Sequence, residues 1–456
     1  MPDTIKLKRG ISIPIQGEPP RIVVQTPLPK IISIQPTDFR GLAPKLFVKE
    51  GDRVTAGDPL FADKNRPRIL FTAPVGGVVG AMSRGDKRKL LSINIHCDYE
   101  VEKRNFPVAP PNSLSRNQIV EILLLSGCWP YLVQRPYGVV AHPDDHPRAI
   151  FISAFDSAPL APDIDFILSG QEADLQYGID VLQKLTPKEG IFIGIRNPKQ
   201  KGHVRQTKFS SLKNVHLYLF EGKHPVGNVG VQIHHIAPIS KGEVVWTIDP
   251  QSVVIIGRLF KTGVINTTKM VALTGPSATK PCYLSLLPGT PLCTIEHIGI
   301  HNPAVRYISG NCLTGTNVGY NGSLGFYHHQ ITLLPEGNHQ ELLGWVKMYR
   351  PKTFSISRSY LSWLSPKKMR RLHTNMNGGV RAFVMSDVYD KVLPMKLYPV
   401  YLLKAILAGD IDKMEAFGIY EVIEEDLALC EFVCPSKINI QEIISNGIDL
   451  MIKEMS

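Results

Sequence analysis

The residues with most scope for chemistry lie in Glu424–Lys437, EEDLALCEFVCPSK. Cys430-x-x-x-Cys434-Pro435 has the spacing of the second half of C-x2-C-x2-C-x3-C-P, the thiolate run that holds an iron–sulfur cluster. Counting back from Cys430 in threes, the two missing ligands fall on Leu427 and Glu424. The other five cysteines (Cys97, Cys128, Cys282, Cys293 and Cys312) are scattered and form no C-x2-C pair. A cluster of this kind needs four ligands, so the run reads as the frame of a metal site without its metal. Cys430 and Cys434 then fall on adjacent turns of one helix face and pack as small hydrophobes. A metal or redox role is the competing reading.

Two further features bear on cofactors. Between Pro44 and Val79, Glu50-Gly51-Asp52 and Ala56-Gly57-Asp58 make tight turns, and Ala73-Pro74-Val75-Gly76-Gly77-Val78-Val79 repeats the strand–turn grammar. Glycine supplies positive φ there and the flanking acids bond the backbone. This order of turns resembles that of lipoyl/biotinyl barrel-sandwich domains, in which a lysine at a hairpin tip can carry the cofactor. Lys64 sits near that tip, but the segment to Ala73 is long and contains Arg66-Pro67-Arg68, so Lys64 is expected to stay unmodified. The α/β stretch that follows lacks the G-x-G-x-x-G that cradles a dinucleotide. Gly227-Asn228-Val229-Gly230 is a fragment of such a loop at most, and a structural turn explains it equally well.

The elements that must position these residues belong to a long chain. Its 456 residues suffice for three or four domains, and 43% hydrophobic with 20% charged residues suits a folded, soluble protein. The longest apolar runs, such as Ile122–Leu125 and Leu397–Leu403, are far short of the ~18 residues that span a bilayer. MPDTIKLKRGISIPIQG has no signal-peptide core, and seven cysteines without framework spacing fit a reducing cytoplasm. The net charge of +11 and pI ≈ 9.2 point to an anionic lipid surface or an acidic partner. Aromatic and basic residues mix in one stretch: Lys347, Arg350, Lys352, Arg358, Lys367, Lys368, Arg370 and Arg371 among Trp345, Tyr349, Phe354, Tyr360 and Trp363. It reads as a docking surface with stems packed and charges solvated, ahead of a nucleic-acid face.

Four domains are expected. Residues 1–106 make the barrel-sandwich, with a basic turn at Arg84–Lys89 before a strand at Leu90–Ile95. Residues 107–265 make a Rossmann-like α/β domain. A helix over Asn112–Leu125, capped by Ser113 or Ser115, leads to strands at Ala149–Ala154, Gly190–Gly194 and Val215–Phe220 around a helix at Gln171–Leu185. That alternation predicts a parallel sheet. Val253–Ile265 and Lys269–Gly275 read as strands leading into a glycine-punctuated β-grasp domain, SLBB-like, over 266–345. Residues 346–456 end in helices at Leu397–Leu407, Asp410–Gly418, Glu421–Leu429 and Asn439–Ile452. The fold class is α+β, multidomain.

This order, with Ile5–Gly17, Phe71–Gly77, Ala149–Pro162, Leu160-Ala161-Pro162-Asp163, His224–Pro238, Gly325–Gly337, Arg306-Tyr307-Ile308-Ser309-Gly310 and Leu427–Pro435, is similar to the A subunits of sodium-translocating NADH:quinone oxidoreductases. It resembles more distantly the C subunit of the Rnf complex and the flavin-carrying, NADH-binding subunit of complex I. Those flavin-binding relatives carry a small-residue loop, G-x-G-G-x-G-F-P-T, where this chain reads Ser126-Gly127-Cys128-Trp129-Pro130-Tyr131-Leu132. Bulky side chains there leave no phosphate cradle. The resemblance therefore implies an accessory subunit of a sodium-pumping NADH:ubiquinone reductase, a translocase, with no catalytic centre or tightly bound cofactor of its own. It implies FAD, FMN, riboflavin and a 2Fe–2S centre on partner subunits, and ubiquinone as a possible ligand. The implied partners are the B to F subunits, chiefly the membrane-embedded B subunit, and the membrane surface on the cytoplasmic face of the bacterial inner membrane, with no nucleic acid. Flat rings with a nearby cation suit a quinone headgroup, so Trp129, Tyr131, Arg135 and Tyr137 are the expected quinone-proximal residues, unless the rings only fill the abandoned flavin cavity. The alternative function is a stand-alone flavin- or NADH-dependent oxidoreductase.

Overall fold

Between residues 31 and 97 short strands alternate with glycine turns, and in the computed structural model they form two antiparallel sheets over one apolar core. One sheet runs Ile31–Ile34, Leu90–Cys97, Gly77–Arg84, Arg53–Val54; the other runs Pro44–Leu46, Pro59–Asp63, Leu70–Thr72. Leu60, Phe61, Phe71, Val79, Ile93 and Ile95 are buried between them, in a core that continues into the next domain. The structure describes residues 3–100, 102–186, 189–197, 207–337, 339, 353–354, 356 and 361–455.

The helix expected from its capping signal is there, over Arg116–Ser126, with Ser115 and Gln118 closing a capping box. A seven-stranded sheet follows. Its parallel part runs His216–Glu221, Ile191–Arg196, Ile150–Ser153, Val245–Thr247, and Val133–Arg135 and Val139–Val140 add an antiparallel edge. Val253–Ile265, expected as a strand, is instead helical up to Thr262, within the helix Pro250–Thr262. Ten of its thirteen residues are buried, so no polar face reveals its period. It crosses the helix Glu172–Gln183 where both are smallest: a Cβ on Gly178 would lie 2.2 Å from the Val253 carbonyl oxygen, and one on Gly257 2.0 Å from that of Asp174.

The third sheet is ordered Thr316–Asn317, Val305–Ser309, Gln330–Pro335, Lys269–Thr274, Cys282–Leu286, Val23–Val24. Residues 4–24, grouped by sequence with the barrel, are bonded elsewhere. Thr4–Lys6 extends the parallel sheet beside His216–Glu221, Ile11 bridges His224, Ile15 bridges Arg370, and Val23–Val24 completes the edge of the third sheet. The C-terminal helices Pro399–Ala408, Ile411–Ala416, Glu424–Val433 and Ile440–Met455 pack on a core of their own.

Candidate functional site

Trp129, Pro130 and Tyr131 form one turn of 3-10 helix after the left-handed Gly127 that ends helix Arg116–Ser126. Trp129 is fully buried, its Nε1 donates to the Ala141 carbonyl at 2.8 Å, and its ring meets Trp246 edge-on. Tyr131 stacks on Phe326, ring centroids 4.7 Å apart, and its hydroxyl has no hydrogen-bond partner among the described residues. Beneath both rings lies the buried ammonium of Lys269, 5.1 Å from the centre of Tyr131 and donating to the Phe326 carbonyl at 2.9 Å. Burial lowers the pKa of Lys269, and Asp249 partly restores it. Burial works to raise the pKa of Asp249, but His329, whose Nε2 is 3.1 Å away, and Lys269 more than offset it and hold the acid well below the carboxylate range.

Tyr131, Pro130, Phe39, Phe71, Phe326 and Asp38 border a cavity where the barrel, the parallel sheet and the third sheet meet. Burial pushes Asp38 up to about 6, although it accepts the Phe326 N–H at 2.8 Å. The cavity volume is about 40 Å³. Ligand pockets ordinarily hold roughly 300–1,000 Å³, so this space suits a few waters.

Arg135 and Tyr137 meet other neighbours. Arg135 is 2% exposed and bonds Asp426 at 2.8 Å and Glu425 at 2.5 Å, on the first turn of the cysteine-bearing helix. Tyr137, half-buried at φ 83°, meets Tyr420 edge-on at 6.2 Å. Tyr420, Tyr398, Phe417, Lys241 and Lys396 line an open groove of about 610 Å³. The four expected residues thus split between two places, with Arg135 sealed in an ion pair.

The loop Gly227–Gly230 opens helix Val229–Ile236. A helix start of this kind is where a phosphate would bind. Here Asn228 Nδ2 donates to the Glu425 carbonyl at 3.0 Å, and the Asp426 carboxylate lies so close to Gly230 that a Cβ there would be 2.4 Å from it. The position is filled by an acid from the chain's own last domain. Sequence reading missed Glu425 and Asp426, whose one local signal is their place as acids in a helix's first turn.

At the degenerate cluster positions, Leu427 is fully buried and Glu424 pairs with Arg40 of the barrel. Cys430 and Cys434 are buried among the C-terminal helices, burial pushes the Cys430 thiol well up, and the Tyr389 hydroxyl lies 3.0 Å from Cys434 Sγ. Among the described residues no three His, Cys, Asp or Glu are grouped to hold a metal. Lys64 is exposed, but its hairpin is tethered. Arg66 donates to the Val140 carbonyl at 2.7 Å, and Arg68 pairs with Glu121 at 2.7 Å and Asp144 at 2.9 Å. Trp345, Lys347, Tyr349, Arg350, Lys352, Arg358 and Tyr360 lie outside the described residues.

Family models match in three places: the NqrA N-terminal barrel-sandwich hybrid domain over residues 5–98, the NqrA second alpha/beta domain over 114–265 and the NQRA C-terminal domain over 270–319. The chain is 36% identical over 436 residues to the A subunit of the Na(+)-translocating NADH-quinone reductase of Yersinia pestis bv. Antiqua (strain Angola), covering 95% of this chain and 96% of that one. It is 36% identical over 453 residues to the protein of the same name from Neisseria meningitidis serogroup A, covering 99% of this chain and all of that one. An NAD+-reducing NiFe-hydrogenase in the H2-reduced state is similar at a TM-score of 0.38 and 11% identity, over 78% of this chain and 67% of that one, too slight a likeness to argue from. On the strength of the near full-length identities, the chain belongs to the family of Na(+)-translocating NADH-quinone reductase A subunits.

Proposed function

We propose that this chain is the A subunit of a sodium-translocating NADH:ubiquinone reductase, an accessory subunit that supports quinone reduction coupled to sodium export. The observation that carries this reading is family membership over nearly the full length of both chains. Its partners are the B to F subunits, chiefly the membrane-embedded B subunit at the cytoplasmic face. No helix among the described residues is long and apolar enough to cross a membrane. FAD, FMN, riboflavin and the 2Fe–2S centre belong to the partners. Trp129 and Tyr131 in place of a glycine loop, and Asp426 at the start of helix Val229–Ile236, support a chain without a tightly held redox cofactor. The same reading makes the barrel lipoyl-like, the parallel sheet Rossmann-like and the third sheet a β-grasp.

Of the four residues expected near quinone, Tyr137 has the strongest case. Its ring abuts Tyr420 on the wall of the 610 Å³ groove, where rings and Lys396 meet Asp412, Glu421 and the Lys241–Glu415 pair; the Tyr131 cavity is too small for a headgroup unless the domain junction opens. In assembled complex, Tyr137→Ala should raise the quinone KM several-fold while Tyr131→Phe leaves it unchanged; the reverse outcome moves the quinone to the junction. The function as a whole is tested by tagging the chain and purifying it from solubilised membranes. Partner subunits and sodium-dependent NADH:quinone reductase activity should elute with it. Elution alone, with visible flavin absorbance on the isolated chain, sinks the reading.

A further inference from the structure

The stretch Leu361–Ser386 contains no Asp or Glu and five Lys or Arg residues. Its first part is a built loop. Arg370 is buried, and its guanidinium donates to the carbonyls of Ser362 at 2.8 Å, Ser365 at 2.9 Å and Lys368 at 2.8 Å. Its backbone is clamped to the N-terminal segment, with Arg370 N–H on the Pro14 carbonyl at 2.9 Å and Gln16 N–H on the Arg370 carbonyl at 3.0 Å. Wrapping around one internal cation turns the remaining side chains outward. Leu361, Leu364 and Met369 are 46%, 62% and 45% exposed, and Lys367, Lys368 and Arg371 stand among them. Met376, Val380, Val384 and Met385 extend the exposed apolar character along the next segment.

We infer that the Leu361–Arg371 loop seats on the anionic headgroup surface of the bilayer. The chemistry selects that occupant. Large aliphatic side chains that are held out in water gain by entering the headgroup–acyl boundary, and interleaved Lys and Arg gain from anionic lipid. An acidic protein would be met by the same charges, and protein-free vesicles separate it from the bilayer. The inference rests on the reading of this chain as part of a membrane complex, and it adds a direct lipid contact to the contacts with partner proteins.

The test is co-sedimentation of the purified full chain with phosphatidylglycerol–phosphatidylcholine vesicles and with phosphatidylcholine vesicles. The chain should bind the anionic vesicles and release at high salt. The triple substitution Lys367→Glu, Lys368→Glu, Arg371→Glu should weaken binding by at least about 100-fold, the equivalent of about 1 kcal/mol for each charge removed. Leu361→Ser with Leu364→Ser should weaken it at unchanged charge, and both variants should keep the parent's thermal midpoint, since they touch only exposed side chains. Absence of binding to anionic vesicles, or binding that neither substitution set changes, overturns the inference. So does binding to complex-bearing membranes without binding to protein-free vesicles, which would make the loop a protein contact. Those results leave the function intact, because co-purification with partner proteins is read separately.

Discussion

Replacing Arg135 with methionine removes a buried cation that joins the parallel sheet to the last domain, and its cost can be worked from the contacts. Asp426 is 1% exposed; its Oδ2 accepts from Arg135 and from the Ile423 N–H at 3.0 Å, while Oδ1 has no partner among the described residues. Without Arg135 the buried carboxylate keeps one donor. Removing one member of a buried pair costs about 3–5 kcal/mol. Glu425 contributes less, because 36% of its side chain is exposed and can turn to water. For a unit of this size the loss corresponds to a fall in Tm of roughly 6–20 °C, measured on the purified chain by calorimetry. Arg135→Met with Asp426→Leu should recover most of it, since an apolar pair removes the desolvated charge as well. The pH dependence has a definite sign. Burial, helped by Asp426 and Asp156 and opposed by Arg135, pushes Glu425 up to about 7 from an ordinary 4.5. Between those values the folded chain binds more protons than the unfolded one, so stability falls as pH rises through the window and levels off above it. Screening keeps that change to about 1 kcal/mol or less. A Tm for Arg135→Met within a degree or two of the parent, or a double variant as damaged as the sum of the singles, refutes the buried latch.

Trp129→Ala should lower stability by about 3–5 kcal/mol through loss of a fully buried ring and leave quinone kinetics of assembled complex alone; altered KM at full stability would count against a packing role. Cys430→Ala should be nearly silent, whereas Cys430→Ser costs about 1–3 kcal/mol for a hydroxyl in an apolar core; stoichiometric iron and sulfide in the isolated chain would contradict this. Intact-mass measurement should find Lys64 unmodified, and a lipoyl or biotinyl increment on its peptide refutes that.

What the sequence disclosed was local. Ser115 was one of two candidate caps and the helix starts behind it, four residues later than expected, and three apolar runs marked three of the parallel strands, with Val245–Thr247 and Thr4–Lys6 missed. The run after Asp249 misled because burial on all sides removes the polar face that period detection needs, although Asp249-Pro250 and Gly263 are the proper signals for its two ends. Arg135 and Asp426 are 291 residues apart, and nothing in either segment announces the other. The spacing from Tyr131 to Arg135 suggested one site, but a turn followed by a strand sends the two side chains to different domains.

The stitching of residues 4–24 across two sheets has a consequence for biogenesis. The strands of the barrel pair among themselves within residues 31–97, so that pairing does not wait for later parts of the chain, whereas the pairing of the segment ahead of them does. Thr4–Lys6 has no partner until His216–Glu221 exists, and Val23–Val24 none until Cys282–Leu286 does. Pairing across such separations is slow, and until it happens both sheets expose a bare edge open to another chain. Residues 4–24 are therefore among the last to be secured, and trimming them would leave two aggregation-prone edges on an otherwise folded protein.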